Sequence, residues 1–426
     1  MIIINSYDGA EHSKNHKSET SLISFSSQLF NEKIIRELGY STASPNNILT
    51  WMQLRGPEKP QNVLPVATEV YKEIKTIQEY PDNIVKEELD GKRFSIYEVS
   101  DGKMLYMLLQ HSLYSRLHKP YLLCTCLRGE GVRDKSHKCR MIPHDRQVEL
   151  YTRSLHRWER QTQRQGSAYT KKKHMDWVDV ENDGCSHFGI SPELLSRDCI
   201  CFDMFHLRGA ITKRLMTYLR KYILGRSLDK KRKFEEVLHT FWNSYNIDVW
   251  KLNANFNSFI GSEIKAFIDH IPKIVEFIKN EFVTTNQRDN IVEGLDMWSK
   301  IVPFLQITTI DNESKYLEKS NQFEENLKEF YEVGGKSFLT KGNKIGDDET
   351  FYMHCLRFYL PHIAKETLKE HNLGLGVFTM QGFEYQNKIS KQVWNRFNNH
   401  TKKVLVQNLK RLYDVYHYNT DSNDTK

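Results

Sequence analysis

Three carboxylates occupy settings from which metal-assisted phosphoryl chemistry could be built. Asp8 follows the apolar run Ile2-Ile3-Ile4, and Asp101 closes the run from Phe94 to Val99. Each precedes a glycine, Gly9 or Gly102. Glu384 comes after Gly374, Gly376 and Gly382 and opens a long helical pattern; it lies 283 residues beyond Asp101, which is itself 93 residues beyond Asp8. Hard divalent cations take oxygen ligands, and in-line displacement at phosphorus uses metal ions on the attacking and leaving oxygens. Three carboxylates converging from strand ends and a helix start can hold two such ions. The bland alternatives are that an Asp before Gly serves a turn and that a Glu in a first turn answers the helix dipole. Asp203 competes for the middle position, because it too follows a short apolar run, Cys199 to Phe202.

Thiols and imidazoles form a second constellation. Cys124-x-Cys126 followed by His137-x-Cys139 offers three thiolates and an imidazole, a donor set suited to tetrahedral zinc. Buried thiols beside a solvent-facing histidine are the alternative. Seven cysteines in 426 residues, an odd number, argue against a disulfide framework. Cys185, His187, Cys199 and Cys201 read as core residues. Basic runs at Lys171–Lys173 and Lys230–Lys233, and along the last helix from Lys391 to Arg411, could pair with phosphates or simply face water.

The elements that must position these groups follow from periodicity. Ile2–Ile4, Ser21–Ser26 and Ile48–Leu54 read as strands, Val66–Ile77 as a helix with Val66, Val70, Ile74 and Ile77 on its apolar face, and Arg93–Val99 as a strand followed by a helix through Met104, Leu105 and Leu108. This is a mixed α/β layer with Asp8 and Asp101 at strand ends, where open α/β sheets gather their sites. Arg146–Gln163 reads as an amphipathic helix, and the basic stretch Gln161–His174 as a linker. Residues 203–290 read as largely helical, with a stripe from Ile264 to Ile278 that Pro272 could kink. A polar helix follows at 313–332, and another runs from Glu384 to about Tyr416.

Several short segments, in shared order, resemble the catalytic core of the recombinase family that initiates V(D)J joining and its Transib-like, cut-and-paste transposase relatives. They are Asn5-Ser6-Tyr7-Asp8-Gly9 with Ile23-Ser24-Phe25-Ser26; Phe94 to Asp101 with Tyr121-Leu122-Leu123-Cys124-Thr125-Cys126; the helix His144–Trp158; Lys251-Leu252-Asn253-Ala254-Asn255-Phe256; and Gly376 to Lys388 around Glu384.

The resemblance implies a ribonuclease-H-like mixed sheet core interrupted by a large, mostly helical insertion. On that pattern residues 1–120 form the first part of the core and 121–370 the zinc-like and helical insertion. Residues 371–418 carry the last core helix with Glu384, and 419–426 form a disordered tail. It implies an Asp-Asp-Glu site of Asp8, Asp101 and Glu384 holding two Mg²⁺ or Mn²⁺ ions for DNA strand cleavage and transfer. It also implies a structural Zn²⁺ at which the Cys124/Cys126 pair meets histidines just before the glutamate. His354 stands there, whereas the expected second position is Tyr359, with His362 further on. The implied partners are double-stranded DNA, a second copy of the chain, and an accessory DNA-targeting subunit, since Asp8 lies only seven residues after Met1.

A domesticated, catalytically inactive DNA- or chromatin-binding derivative is the alternative. A zinc hydrolase would need a signature such as His-Glu-x-x-His, and none occurs. Hydrophobic residues at 39% and aromatics at 12% exclude disorder as the main state. The apolar start at Met1–Ile4 is too short for a signal peptide, and no run approaches the ~18 apolar residues of a membrane span, so no membrane is expected. With Lys230–Lys233 as a weak import patch, the expected location is nuclear. The net charge of +7 favours a polyanionic partner.

Overall fold

The computed structural model describes residues 2–10, 22–30, 48–55, 58–88, 94–109, 121–127, 130, 137–219, 227–230, 232–234, 236, 261–281, 286–334, 350–395 and 410. The loop bearing Lys14 to Lys17, the Lys251–Phe256 motif, the continuation of the last helix beyond Asn395 apart from Lys410, and the tail at 419–426 lie outside them. The chain divides into two units. The first comprises Met1–Leu127, Cys139–Asp203 and Phe378–Lys426; the second comprises Arg128–Lys138 and Met204–Val377.

In the first unit, β1 (Ile2–Ala10), β2 (Leu22–Phe30) and β3 (Ile48–Arg55) form an antiparallel meander, as the alternating apolar runs predict. Helices α1 (Pro60–Gln78) and α2 (Asp82–Glu88) lead to β4 (Ser95–Ser100) and α3 (Gly102–Leu108). After the cysteine segment come α4 (His144–Gln165), α5 (Lys171–Glu181) and the three-residue β5 (Ile200–Phe202). The sheet order is β3-β2-β1-β4-β5, with β4 parallel to both β1 and β5, so the sheet is mixed.

Helix α1 differs from its predicted form. It starts at Pro60, whose missing N–H costs nothing in a first turn, and it buries Val63, Ala67, Tyr71 and Ile74. The stripe is rotated from the Val66/Val70 face because small Ala67 permits close approach and Tyr71 has a polar partner to reach inside the sheet.

The predicted linker at Gln161–His174 is overturned. Helix α4 continues to Gln165, a 3-10 turn spans Gly166–Ala168, and α5 begins at Lys171 with Thr170 as its cap. A buried polar network holds α4 to α5. Ser154 Oγ lies 2.9 Å from His174 Nε2 and 2.9 Å from His187 Nδ1, while the Tyr169 hydroxyl lies 2.9 Å from His174 Nδ1. Such a latch has no period in the sequence. It gives a polar stretch a reason to be ordered, since buried polar groups are costly unless paired.

The second unit is helical: α6 (Met204–Tyr218), α7 (Gly261–Asp269), α8 (Ile271–Glu281), α9 (Asn286–Leu305), α10 (Glu313–Gly334), α11 (Phe351–His354), a π-turn at Cys355–Tyr359, and α12 (Leu360–His371). Its core centres on fully buried Trp298, whose Nε1–H donates to Thr212 Oγ1 at 3.0 Å, and on Phe304 stacked against Phe323 with centroids 4.4 Å apart. Pro272 does not kink one long helix. It sits at the second position of α8, where proline is tolerated, and the apolar stripe passes across a break at His270. The chain then returns to the first unit as α13 (Gln381–Asn395), which packs on β1, β2 and β3. No helix among the described residues is long and apolar enough to cross a membrane.

Candidate active site

Strand register places the candidate carboxylates. β1 and β4 pair in parallel from Ile2↔Ser95 to Asn5↔Glu98, a constant offset of 93 residues. The hydrogen bond from Tyr7 N–H to Ser100 Oγ, 3.2 Å, keeps that offset. Carried one residue further, it sets Asp8 level with Asp101. β4 and β5 pair from Glu98↔Ile200 to Ser100↔Phe202, and the next pair in that register is Asp101 with Asp203. Three aspartates therefore stand level at the carboxyl ends of three adjacent parallel strands, roughly 4.8 Å apart from strand to strand.

Each has a local reason for its place. Asp8 lies in β1 opposite Ser24 of β2. Asp101 caps α3: its Oδ1 accepts the Met104 N–H at 2.7 Å, and its backbone is extended, as an N-cap requires. Asp203, immediately after β5, is 1% exposed, and its Oδ1 accepts the Met380 N–H at 2.7 Å. Glu384 is half-buried in the first turn of α13, with its N–H bonded to Met380 O at 2.9 Å. Asp203 and Glu384 thus converge on one residue, Met380.

Beneath this row the sheet carries a fourth carboxyl that the sequence reading passed over. Glu98 is fully buried in β4, held by the Ser100 hydroxyl and the Tyr71 hydroxyl. Burial pushes its pKa up to about 8, against the opposing pull of those two hydroxyls. It is therefore neutral at pH 7 and adds no charge below the aspartates. Burial, and then the neighbouring Glu98, raise the Tyr7 and Tyr71 phenols well above their ordinary range.

The cysteine segment folds back on itself. Cys124 bridges Met141, and Thr125 N–H and Ile142 N–H donate to Arg140 O and Leu123 O at 3.2 and 2.9 Å. This pairing brings the sulfurs of Cys124, Cys126 and Cys139 within 4.8 Å of one another, with Cys126 and Cys139 at 3.6 Å. Hydrogen bonding to the Cys124 and Cys126 thiols, then burial, drives the Cys139 pKa strongly upward. Three soft donors at this spacing are a fitting part of a tetrahedral thiolate site.

The candidate histidines all belong to the second unit. There the His137 ring faces Glu130 at 3.5 Å and the edge of Phe358, His354 is buried against Phe358 and Tyr359, and His362 is exposed on α12. Cys185 and Cys201 are buried, as core residues should be.

No protein-family model matches the chain, and no curated protein does. Among solved structures it is similar to the "Drosophila P element transposase strand transfer complex", at 8% identity and a TM-score of 0.40, over 97% of this chain and 77% of that one.

Proposed function

We propose that the first unit is a ribonuclease-H-like core that cleaves and transfers DNA strands with two Mg²⁺ or Mn²⁺ ions, as transposases of the Asp-Asp-Glu type do. The observation that carries this reading is the level row of Asp8, Asp101 and Asp203, with the helix that bears Glu384 packed on β1 and the residue before it bonded to Asp203. The donor set fits hard cations, being all carboxylate oxygen. Neighbouring strands also set successive aspartates at a spacing comparable to the ~3.5–4 Å that separates paired ions. Bound ions would supply a lowered pKa for the attacking oxygen and charge neutralisation for the leaving one.

The chain's own residues do the rest. Asp8, Asp101 and Glu384 would hold the ions and through them orient the scissile phosphate. Asp203 holds the start of α13 so that Glu384 is pre-positioned, and neutral Glu98 stiffens the strand pair behind. The three thiolates of Cys124, Cys126 and Cys139 would supply most of the donors of a structural zinc, tying the turn after α3 to the approach to α4. Double-stranded DNA is the substrate, a second copy of the chain and an accessory targeting subunit are partners, and the location is nuclear.

A second reading, a silent DNA-binding derivative, is favoured by one observation: the Asp101 and Asp203 carboxylates are both engaged by backbone N–H groups. One assay decides between them. Labelled duplex is incubated with Mg²⁺ or Mn²⁺ and wild type, Asp8→Ala, Asp101→Ala, Asp203→Ala or Glu384→Ala. Nicking by wild type that is lost in Asp8→Ala and Glu384→Ala supports the enzyme. Binding without cutting under either metal supports the silent derivative.

A further inference from the structure

The chain's positive charge is not spread evenly. Between Leu150 and His174 there are seven Lys and Arg residues and one acidic residue, Glu159, so that these 25 residues hold +6 of the chain's +7. The structure arranges them. Arg153, Arg157, Arg160 and Arg164 recur at intervals of four, three and four along α4, which at 3.6 residues per turn confines them to an arc of about 60°. At 1.5 Å rise per residue the stripe is about 16 Å long. Arg153, Arg160 and Arg164 are exposed and Arg157 is half-buried; Lys171–Lys173, exposed on the first turn of α5, extend the charge beyond the turn.

Two features make this more than a solvated face. The Arg157 guanidinium lies 4.4 Å and the Arg153 guanidinium 5.5 Å from the centre of the Trp177 ring, which holds both against α5. Two of the carboxylates nearby are engaged elsewhere: Glu149 pairs with Arg146 at 2.6 Å, and Glu181 accepts the Trp177 Nε1–H at 2.9 Å. None of the four stripe arginines forms an ion pair among the described residues. The buried Nε of Arg157 has no hydrogen-bond partner among them.

Resting on the DNA-acting function proposed above, we propose that the arginine stripe of α4 is a docking surface for the phosphate backbone of duplex DNA, made of residues other than the carboxylate row. A straight, rigid line of cations suits a partner whose charges are themselves in line. Successive phosphates of one DNA strand rise ~3.4 Å and turn about the axis, which sets them roughly 7 Å apart through space, close enough to the ~5 Å steps between the arginines for each flexible side chain to reach one. Guanidinium groups match phosphate oxygens in a bidentate way that ammonium groups do not. The contacts are to backbone, so they fix position and carry no base preference.

The test is fluorescence anisotropy of the full chain with a 25-base-pair duplex in Mg²⁺-free buffer, so that it reads binding whether or not the protein cuts. The variants are Arg153→Gln/Arg157→Gln/Arg160→Gln/Arg164→Gln and the double Arg160→Gln/Arg164→Gln, whose side chains do not stack on Trp177. At about 0.9 per phosphate contact, the slope of log affinity against log salt falls by roughly two in the double variant and by three to four in the quadruple. The quadruple also binds more than tenfold more weakly, by the same amount for two unrelated duplex sequences. Wild-type affinity and slope in the double variant, at an unchanged melting temperature, overturn the proposal. So does a loss confined to a single-stranded RNA probe with duplex binding intact.

Discussion

The carboxylate of Asp203 accepts the backbone N–H of Met380 at 2.7 Å, joining residues 177 positions apart in the chain. One partner ends β5; the other immediately precedes α13. The bond pins the start of the helix that carries Glu384 to the sheet end where Asp8 and Asp101 stand level. A buried acceptor of this kind is costly to lose, because the N–H left behind has no water to turn to. Asp203→Ala is expected to lower unfolding stability by about 1–3 kcal/mol, read from denaturant midpoints. Asp203→Asn keeps an acceptor oxygen and should recover much of it. If Asp203 only braces the helix, Asp203→Asn also keeps strand cleavage, whereas loss of cleavage in a stable Asp203→Asn protein makes it a ligand.

Glu98 gives the fold an alkaline weakness. Its pKa is near 8 in the folded chain against an ordinary 4.5, so between those values the native state holds a proton that the unfolded state has released. Stability from this group is complete below about pH 4.5 and is lost as pH rises through 8. Glu98→Gln should flatten that decline while keeping a partner for the Tyr71 and Ser100 hydroxyls. Denaturant midpoints for both proteins from pH 5 to 9 check it, and parallel curves would show that Glu98 is not the group responsible.

The α4–α5 latch has the opposite sign. Burial lowers His174 and His187 to about 4 from an ordinary 6.5, helped in His174 by the His187 and Arg157 charges and in His187 by Lys171. From pH 6.5 down to 4 the unfolded chain takes up protons that the native rings refuse, so stability falls as pH falls. Full linkage for two rings would cost about 5 kcal/mol by pH 4.5, which solvent screening of the half-buried rings cuts to an expected loss on the order of 2 kcal/mol. His174→Gln should be weaker at pH 7 and less sensitive to acid, which thermal melts at pH 5 and 7 would show.

The thiol cluster makes a prediction about composition. Protein purified without chelator should carry about one zinc per chain, and Cys139→Ala should fall toward none, as measured by atomic emission. His354→Ala and His137→Ala, measured alongside, show whether either imidazole is needed for the metal. Chelation of the wild type should lower its melting temperature; metal-free protein that melts as the untreated protein does would rule the structural role out.

Much of the site's frame is legible in the residues themselves. The apolar runs of β1 and β4 and the glycines after them mark two strand ends, and the 93-residue separation of Asp8 and Asp101 turns out to be the pairing offset of the strands that carry them. Other features leave no such mark. β5 is three residues long, too short for alternation to declare it, so Asp203 could be suspected but not placed. Glu98 sits inside an apolar run as an isolated charge, and only burial reveals it as neutral. Ser154, His174 and His187 show no periodicity because their bonds run between elements. Cys139, whose sulfur joins those of Cys124 and Cys126, is legible from the motif.

Discontinuity in the first unit has a consequence for synthesis. The sheet and α13, which covers β1 to β3, are separated by the second unit's main segment, about 170 residues. At a translation rate of ~5–20 residues per second, roughly nine to thirty-five seconds pass between emergence of β5 and emergence of the helix that covers β1 to β3. During that interval the nascent sheet lacks both its last layer and Glu384. A chain that stalls or is clipped within the insertion therefore cannot assemble the full carboxylate set, and it leaves an apolar face for chaperones to engage.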